Sequence, residues 1–318
     1  MTAPPDVVDA VVTPDDIERA WAVIAGHVRV TPIVRIAAGE LGVPLPAVLK
    51  LELLQHTGSF KPRGAFHRVL TADIPPAGLI AASGGNHGAA VAHVARCLGL
   101  RAEVFVPATS PTLKRQRIEA LGAELRVIEG LYDHAQRAAD ERARETGGLL
   151  VHPYNSPVVI AGQGTMSMEL ERQAGTIDTL LASTGGGGFV AGQAAWFADR
   201  ARVVSVEPTT SQCLRAALAA GEPTDVEVRG LAADSLGAAR IGDAPWAVVR
   251  RYVHDAVVVD DDAIRDAQRA IWDGLRLIAE PGGAAALAAL RTGAYLPADG
   301  ERVAVAICGS NADPSTIV

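Results

Sequence analysis

The sequence predicts an α/β protein built on mostly parallel sheets, and three observations lead to this fold class. Short runs rich in Val, Ile and Leu alternate with amphipathic stretches, which is typical of parallel strands joined by crossover helices. The chain has 318 residues, which favours two domains or one large α/β unit. Hydrophobic residues make up 49% and charged residues 20%, so the chain can bury a sizeable core.

Eight apolar runs are predicted strands, and amphipathic stretches between them are predicted helices. The strands are placed at residues 79–82, 102–106, 124–128, 149–151, 180–183, 202–206, 256–259 and 302–307. After the first strand, Val91, Val94, Ala95 and Leu98 recur at helical spacing, and Gly99 ends that helix. Acidic clusters at 15–16 and 260–262 indicate helix N-termini, and the alanine-rich stretch 283–290 is a further helix.

Charge and composition exclude several classes of function. The chain carries 36 acidic and 29 basic residues, a formal charge of −7, which disfavours nucleic acid and favours a small-molecule partner. No apolar run approaches the roughly 20 residues of a membrane span, and residues 1–6 lack a signal-peptide pattern. We therefore expect no membrane partner and a cytoplasmic protein. The scattered Cys97, Cys213 and Cys308 fit neither a disulfide framework nor a zinc site.

A run of glycines lies between an apolar run and a helix-like stretch. Backbone N–H groups exposed there, beside a helix N-terminus, would suit a phosphate group, and a flexible linker is the alternative. No Lys-Ser/Thr follows as in a Walker loop, so the phosphate need not belong to a nucleotide. The run consists of Gly185, Gly186, Gly187 and Gly188.

Lys61 precedes Pro62, a residue favoured at the first position of a helix. Its amine would therefore stand at a positive helix end, close to other cations, where the neutral form is favoured. A neutral lysine amine attacks aldehydes. The alternative is a solvated surface lysine at the start of a helix.

Five motifs resemble, in the same order, those of the serine/threonine dehydratases of the pyridoxal-phosphate fold type II. They are SFKPRGA at 59–65, SGGNHG at 83–88, the four glycines, EPGGA at 280–284 and ICGSN at 307–311. The resemblance spans nearly the whole chain. It implies two open, twisted, mostly parallel sheets flanked by helices, with pyridoxal 5'-phosphate in the interdomain cleft. It also implies a large domain at 1–79 and 156–318, a small inserted domain at 80–155, and a homodimer.

The resemblance also implies roles for individual residues. Lys61 is similar to the lysine that bonds covalently to the cofactor, and Phe60 to the ring that packs beside it. Asn86 matches the residue that hydrogen-bonds the cofactor's 3-oxygen, although an asparagine there could simply stabilise a turn. Cys308 matches the residue facing the pyridine nitrogen, and a small buried hydrophobe is its alternative. Glu280 either holds its loop or orients cofactor or substrate.

The loop around the asparagine is implied to surround the substrate carboxylate, while a helix cap is the alternative for its histidine. The implied substrate-binding residues are Ser83, Gly84, Gly85, Asn86 and His87. Racemases of this family use a serine at the position of Gly84 as a second acid/base, so glycine here favours dehydration. Relatives bind a divalent cation through a glutamate matched by Glu207 and an aspartate, but Cys213 replaces the aspartate, so we expect no metal.

The implied reaction is β-elimination from a β-hydroxy amino acid, with L-threonine or L-serine favoured, to give a 2-oxo acid and ammonia. Alternatives are a racemase, another β-elimination enzyme of the same fold such as a 3-hydroxyaspartate dehydratase, a β-replacement enzyme, and a non-catalytic phosphate-binding protein. The roles of Tyr132, His134 and Arg240 stay open; Arg240 is either a pocket residue or a surface arginine. Seven residues follow Asn311, so we expect no isoleucine-binding regulatory domain.

Overall fold

The computed structural model describes residues 11–317. Residues 1–6, in which the sequence shows no signal-peptide pattern, and the last residue, 318, lie outside this part of the chain. The strands are β1 Ile33–Ile36, β2 Ala47–Lys50, β3 Leu79–Ala82, β4 Ala102–Pro107, β5 Glu124–Ile128, β6 Leu149–Leu150, β7 Thr179–Ser183, β8 Arg202–Pro208, β9 Val253–Val259 and β10 Val303–Ala306. The α-helices are α1 Pro14–Ile24, α2 Lys61–Leu70, α3 Asn86–Leu98, α4 Thr112–Ala120, α5 Tyr132–Thr146, α6 Pro157–Ala174, α7 Gly188–Phe197, α8 Cys213–Ala220, α9 Ala233–Leu236, α10 Asp243–Tyr252, α11 Asp261–Leu275 and α12 Pro281–Thr292.

The strands form two sheets. One has six strands in the order β1-β2-β10-β7-β8-β9, in which only the pairing of β1 with β2 is antiparallel. The other has four parallel strands in the order β5-β4-β3-β6. The predicted fold class is therefore confirmed, whereas the domain boundaries at 80 and 155 remain predictions.

Alternate residues of the strands bury opposite faces of each sheet. In β7, Leu180 and Ala182 belong to the core that includes buried residues of α1, α6 and α7, while Leu181 faces α11 and α12. In β3, Leu79 and Ala81 pack with α2 and α3, while Ile80 and Ala82 face α5. Both faces are apolar because crossover helices cover a parallel sheet on both sides.

The predicted elements fit the structure, with a few differences. Two predicted helix starts are present, capped by Thr13 and by Asp260. Gly99 ends α3 as predicted, and the alanine-rich stretch forms α12. The β1 and β2 strands were not predicted, and residues 37–46 between them contain a short 3-10 helix at Glu40–Gly42. The strand β9 begins three residues before its predicted start. Within residues 11–317, no helix is long and apolar enough to span a bilayer.

Candidate active site

Lys61 is the first residue of α2 and Pro62 is the second, while Phe60 directly precedes the helix. Proline suits this position because the first N–H groups of a helix have no partner within it. The Lys61 Nζ donates a hydrogen bond to the Pro153 carbonyl oxygen at 3.0 Å. The amine therefore lies between α2 and the segment that follows β6.

The Lys61 amine loses its proton more easily than an ordinary lysine. Burial lowers its pKa to about 8, and the Cys308 and Glu280 side chains oppose this shift only in part. The sequence analysis predicted a neutral amine from the positive helix end and nearby cations. The structure gives burial as the largest cause, so the predicted direction is kept and its cause is corrected.

Two aromatic rings form an apolar wall beside this amine. The Phe60 ring centroid lies 4.2 Å from that of Phe189 and 5.0 Å from the Lys61 Nζ. The Phe60 side chain is buried. An apolar wall withdraws water from the amine and so disfavours its charged form.

The loop of residues 83–88, called here the asparagine loop, connects the carboxyl end of β3 to the start of α3. Gly85 N donates to Ser83 Oγ at 3.1 Å, which shapes the turn. Ligands of open α/β sheets bind outside the carboxyl ends of the strands, where this loop lies. It is therefore well placed to contact a ligand in the cleft.

His87 is buried, and its Nε2 lies 2.6 Å from the Val151 carbonyl oxygen. A carbonyl oxygen only accepts hydrogen bonds, so Nε2 carries the proton and donates. Burial first, and then the Lys61 charge, lower the His87 pKa to about 3. The imidazole therefore stays neutral, and its Nε2–H ties α3 to the segment after β6 and is not free for a substrate carboxylate.

Glu280 precedes α12 and reaches the asparagine loop from the six-stranded sheet. Its Oε1 accepts a hydrogen bond from Asn86 Nδ2 at 2.5 Å. The carboxyl group is buried, burial raises its pKa, and Oε2 has no partner among residues 11–317. A buried oxygen without a partner is costly, so a polar ligand group fits beside it. This contact brings Glu280 into the site and favours an orienting role.

The glycine run leads directly from β7 into α7, which begins at Gly188. A side chain cannot be added here, because a Cβ on Gly186 would lie 2.5 Å from the Tyr154 ring and one on Gly188 would lie 2.7 Å from the Tyr154 Cβ. Gly187 adopts a φ of +91°, which favours glycine. No group within residues 11–317 accepts a hydrogen bond from the amides of Gly185, Gly186 or Gly187. These amides at a helix N-terminus fit a phosphate.

Cys308 follows β10 and is buried. Its Sγ donates to the Gly282 carbonyl oxygen at 3.4 Å. Burial, and then the neighbouring Glu280, raise the pKa of the thiol, which therefore stays protonated. The side chain offers a weakly polar neutral group at this point of the cleft.

The segment that follows β6 contacts the Lys61 amine through the Pro153 carbonyl oxygen, a role that the sequence did not predict. His152 Nδ1 accepts hydrogen bonds from Tyr154 N at 3.2 Å and Asn155 N at 2.9 Å. Burial and the Lys61 charge lower the His152 pKa to about 4, so the ring is neutral. The polar residues of 152–156 directly follow a predicted strand, and this position at a strand end is the pattern that could have indicated a site.

Glu207 and Arg240 have contacts that bear on the sequence predictions. The Glu207 carboxylate accepts from Leu214 N and Arg215 N, each at 2.8 Å, so it caps α8. Within residues 11–317 there is no group of three metal-ligating side chains. Arg240 is half-exposed and lies 3.6 Å from Asp225, which favours the surface interpretation.

Tyr132 and His134 serve the start of α5. The Tyr132 hydroxyl donates to Gln136 Oε1 at 2.9 Å. His134 Nδ1 accepts from Leu131 N at 3.3 Å. Both polar groups thus have partners close in sequence, and neither contact involves Lys61.

The fold and this site define an α/β enzyme with a partly buried lysine amine close to the helix that follows the glycine run: the Lys61 Nζ lies 5.0 Å from the Phe60 ring, which packs 4.2 Å from the Phe189 ring. The amine, the free loop amides and the orphaned Glu280 oxygen fit pyridoxal phosphate, which has an aldehyde, a phosphate and polar ring substituents. Residues 24–309 match the family of pyridoxal-phosphate dependent enzymes, and the chain belongs to it. Members of this family depend on pyridoxal phosphate.

The chain is similar to dehydratases and to racemases. It is 36% identical over 277 residues to the biosynthetic L-threonine dehydratase of Haemophilus influenzae, covering 85% of this chain and 54% of that one. The chain thus spans about half the length of that relative. Maize serine racemase matches with a TM-score of 0.89 and 32% identity, over 97% of this chain and 96% of that one. The threonine deaminase of T.th. matches with a TM-score of 0.87 and 34% identity, over 95% of this chain and 99% of that one.

Proposed function

We propose that the chain is a pyridoxal-phosphate-dependent ammonia-lyase that dehydrates a β-hydroxy amino acid, best L-threonine or L-serine. The products would be a 2-oxo acid and ammonia. The observation that carries this proposal is the partly buried Lys61 amine, with a pKa of about 8, beside the Phe60 ring, which packs 4.2 Å from Phe189 in the helix that follows the glycine run with its free amides. The similarity to threonine dehydratases supports the choice of substrate.

Lys61 is the proposed general base. When bound, pyridoxal phosphate supplies the electron sink that makes the Cα proton of an amino acid acidic enough to remove. The Lys61 amine is available in its neutral form near pH 8 and takes that proton. The hydrogen bond from the Lys61 Nζ to the Pro153 carbonyl oxygen fixes the position of the amine.

The asparagine loop is the proposed site for the substrate carboxylate. The first N–H groups of α3 have no partner within the helix, and the helix N-terminus favours an anion. Ser83 lies beside these groups and already shapes the loop through Gly85 N. Because the His87 imidazole is engaged with Val151, the backbone of His87 is its contribution here.

Cys308 is proposed to set the direction of the reaction. Its thiol stays protonated because burial raises its pKa. Beside the ring nitrogen of a bound cofactor, a neutral thiol would supply no negative charge to hold a proton there, and the ring would then store negative charge less readily. This arrangement favours prompt elimination over transamination.

The surroundings of Gly84 favour elimination over racemisation. A Cβ on Gly84 would lie 2.0 Å from Ser110 Oγ and 2.7 Å from Ser110 Cβ. A serine at position 84, the second acid/base of the racemases, therefore has no space in this loop. A simple replacement of Gly84 by serine, expected from the sequence to increase racemisation, first requires that Ser110 be made smaller.

A racemase is the second candidate, and Ser110 is the observation that favours it. Its hydroxyl occupies the space in which a side chain at position 84 would begin. If that hydroxyl exchanges a proton with Cα, the enzyme would convert L-serine to D-serine, and Ser110→Ala would abolish this reaction while sparing ammonia release. Chiral chromatography of the unreacted serine measures it.

The test of the proposed function is a panel of L-serine, L-threonine, 3-hydroxyaspartate and their D-forms, assayed for ammonia and 2-oxo acid. Lys61→Ala should release neither product, whereas Arg68→Ala on the same helix should be close to wild type. Turnover by Lys61→Ala would refute the assignment. Cofactor binding by the wild type without any product would instead indicate a non-catalytic protein.

We also propose the division into a large domain at 1–79 and 156–318 and a small one at 80–155, a homodimer, and a cytoplasmic location. Two sheets with separate cores support the division. Limited proteolysis tests the boundaries, sedimentation tests the dimer, and cell fractionation tests the location.

A further inference from the structure

A row of hydrogen-bonded side chains leads from the surface into the cleft. Arg117 Nη1 donates to Asn311 Oδ1, and Asn311 Nδ2 donates to Asn86 Oδ1 at 2.6 Å. Asn86 Nδ2 then donates to Glu280 Oε1 at 2.5 Å. The Thr57 carbonyl oxygen accepts from Arg117 Nη2 at 3.1 Å and from Asn311 Nδ2 at 2.9 Å. We call these four side chains and the Thr57 carbonyl the amide network.

The ends of the amide network fix the direction of every bond in it. A guanidinium group only donates and a carbonyl oxygen only accepts, so Arg117 and Thr57 together orient the Asn311 amide. The Asn311 Nδ2 donates to Asn86, so the Asn86 Oδ1 must accept this hydrogen bond. The Asn86 Nδ2 is then directed toward Glu280 and donates to it. Rotating either amide by half a turn would place two donors or two acceptors against each other.

The network leaves one hydrogen of Asn86 uncommitted. An asparagine amide carries two N–H donors, and only one of them is used by Glu280. The direction of the second N–H follows from the orientation of the amide. Asn86 is the residue proposed to bind the 3-oxygen of the cofactor, so Arg117 and Asn311 determine whether a donor or an acceptor faces that oxygen.

The amide network also joins the two sheets. Arg117 lies on α4 and Asn86 on α3, which both flank the four-stranded sheet. Asn311 follows β10, and Glu280 precedes α12, both beside the six-stranded sheet. The ion pair of Lys114 with Asp234 makes a second connection from α4. The amide network therefore connects elements that flank one sheet with elements that lie beside the other.

We propose that Arg117 and Asn311 are positioning residues, which orient the Asn86 amide toward the cofactor's 3-oxygen. The proposal rests on the proposed role of Asn86 in the cofactor site. The competing explanation is that Arg117 and Asn311 make a surface contact without any effect on the cofactor. Such exposed charged groups usually contribute little even to the stability of the fold. The two explanations differ in their effect on the bound cofactor.

The experiment measures binding of pyridoxal phosphate to apoprotein, by titration, together with the absorption and fluorescence maxima of the bound form. Asn311→Asp keeps the size and the Arg117 contact but turns an oxygen toward Asn86 Oδ1. We expect its Kd to rise about tenfold, the size of one lost hydrogen bond in a partly buried site, with shifted spectral maxima. Arg117→Ala should act in the same direction, and Arg117→Lys, which keeps one donor group, should recover part of the effect.

Two controls and one background complete the design. Arg115→Ala removes the same charge from α4, and Asp313→Asn changes a charge in the same tail loop, and both should bind like wild type. In an Asn86→Ala background, Arg117→Ala should no longer change the Kd, since it acts through Asn86. Thermal melting of each apoprotein identifies variants that fail to fold. If Arg117→Ala does not fold, the Kd of Arg117→Lys takes its place in the comparison.

The proposal is overturned if Asn311→Asp and Arg117→Ala bind with a Kd within about twofold of wild type, a free-energy change smaller than that of one lost hydrogen bond. It is equally overturned if the Arg117→Ala effect persists without Asn86. Neither readout requires turnover. A wild type that binds the cofactor but has no lyase activity would refute the proposed function and leave this inference intact, whereas a wild type that binds no cofactor would refute both.

Discussion

Arg63→Met should destabilise the protein more than any other single change near the site. Arg63 lies two residues after Lys61 on α2 and belongs to a fully buried ionic cluster with Lys50, Glu52 and Glu169. Its Nε and Nη2 donate to the two Glu52 carboxylate oxygens, each at 2.7 Å, and Nη2 also reaches Glu169 Oε2 at 3.1 Å. Two cations and two anions balance, so the cluster has no net charge.

Methionine fills most of the arginine volume but leaves a buried carboxylate without its main partner. Arg63 is the largest influence that lowers the Glu52 pKa, acting against burial. After the substitution, Glu52 keeps only the Thr31 Oγ1 hydrogen bond at 2.5 Å and the more distant Lys50 charge. Breaking one partner out of a buried pair costs about 3–5 kcal/mol.

The assay is guanidinium unfolding of the apoprotein, followed by circular dichroism and by tryptophan fluorescence. Arg68→Met is the matched control, because Arg68 lies on the same helix and makes no ion pair within residues 11–317. It should change the unfolding free energy by at most about 0.5 kcal/mol. The double variant Arg63→Met with Glu52→Gln should recover part of the loss, since no unpaired carboxylate remains. An Arg63→Met protein within about 1 kcal/mol of wild type would refute this account of the cluster.

The remaining predictions concern the cleft itself. The rate at which apoprotein bonds pyridoxal phosphate through Lys61 should rise with pH and level off above about 8, since only the neutral amine attacks; a rate independent of pH from 6 to 9 in stopped-flow absorbance would contradict this. Gly84→Ser should lower the melting temperature, because its Cβ meets Ser110 Oγ at 2.0 Å, and Ser110→Gly in the same chain should restore it; a single variant as stable as wild type would show that the loop moves aside. His87 has a pKa of about 3 in the folded state, well below that of an unfolded histidine, so only the unfolded state binds the extra proton as the pH falls below about 6.5. This proton uptake should lower the free energy of unfolding by about 2 kcal/mol between pH 7 and pH 5. In His87→Gln, the free energy of unfolding measured over the same pH range should depend less steeply on pH.

Much of the site could be predicted because its parts are short motifs with local causes. Lys61 before Pro62 predicts a helix start, and four glycines after an apolar run predict an open strand-to-helix loop. Both are present at those positions. Ser110 has no such local signal, since it matters only because it fills the space beside Gly84. Asn311 belongs to the last of the five motifs, but its contacts with Arg117 and Asn86 could not be predicted from the sequence.

The sequence by itself determined the fold class and the order of the motifs. Hydrophobic periodicity and helix caps act over a few residues, so alternation of apolar runs and amphipathic stretches predicted parallel strands with crossover helices. Tertiary structure alone decided the electrostatics of the cleft. Burial sets the pKa values of Lys61, His87 and Cys308, and burial depends on which distant segments pack around a group. The direction of the Asn86 amide is likewise decided by partners more than 190 positions away in the chain, because a hydrogen bond depends on where two groups meet in space.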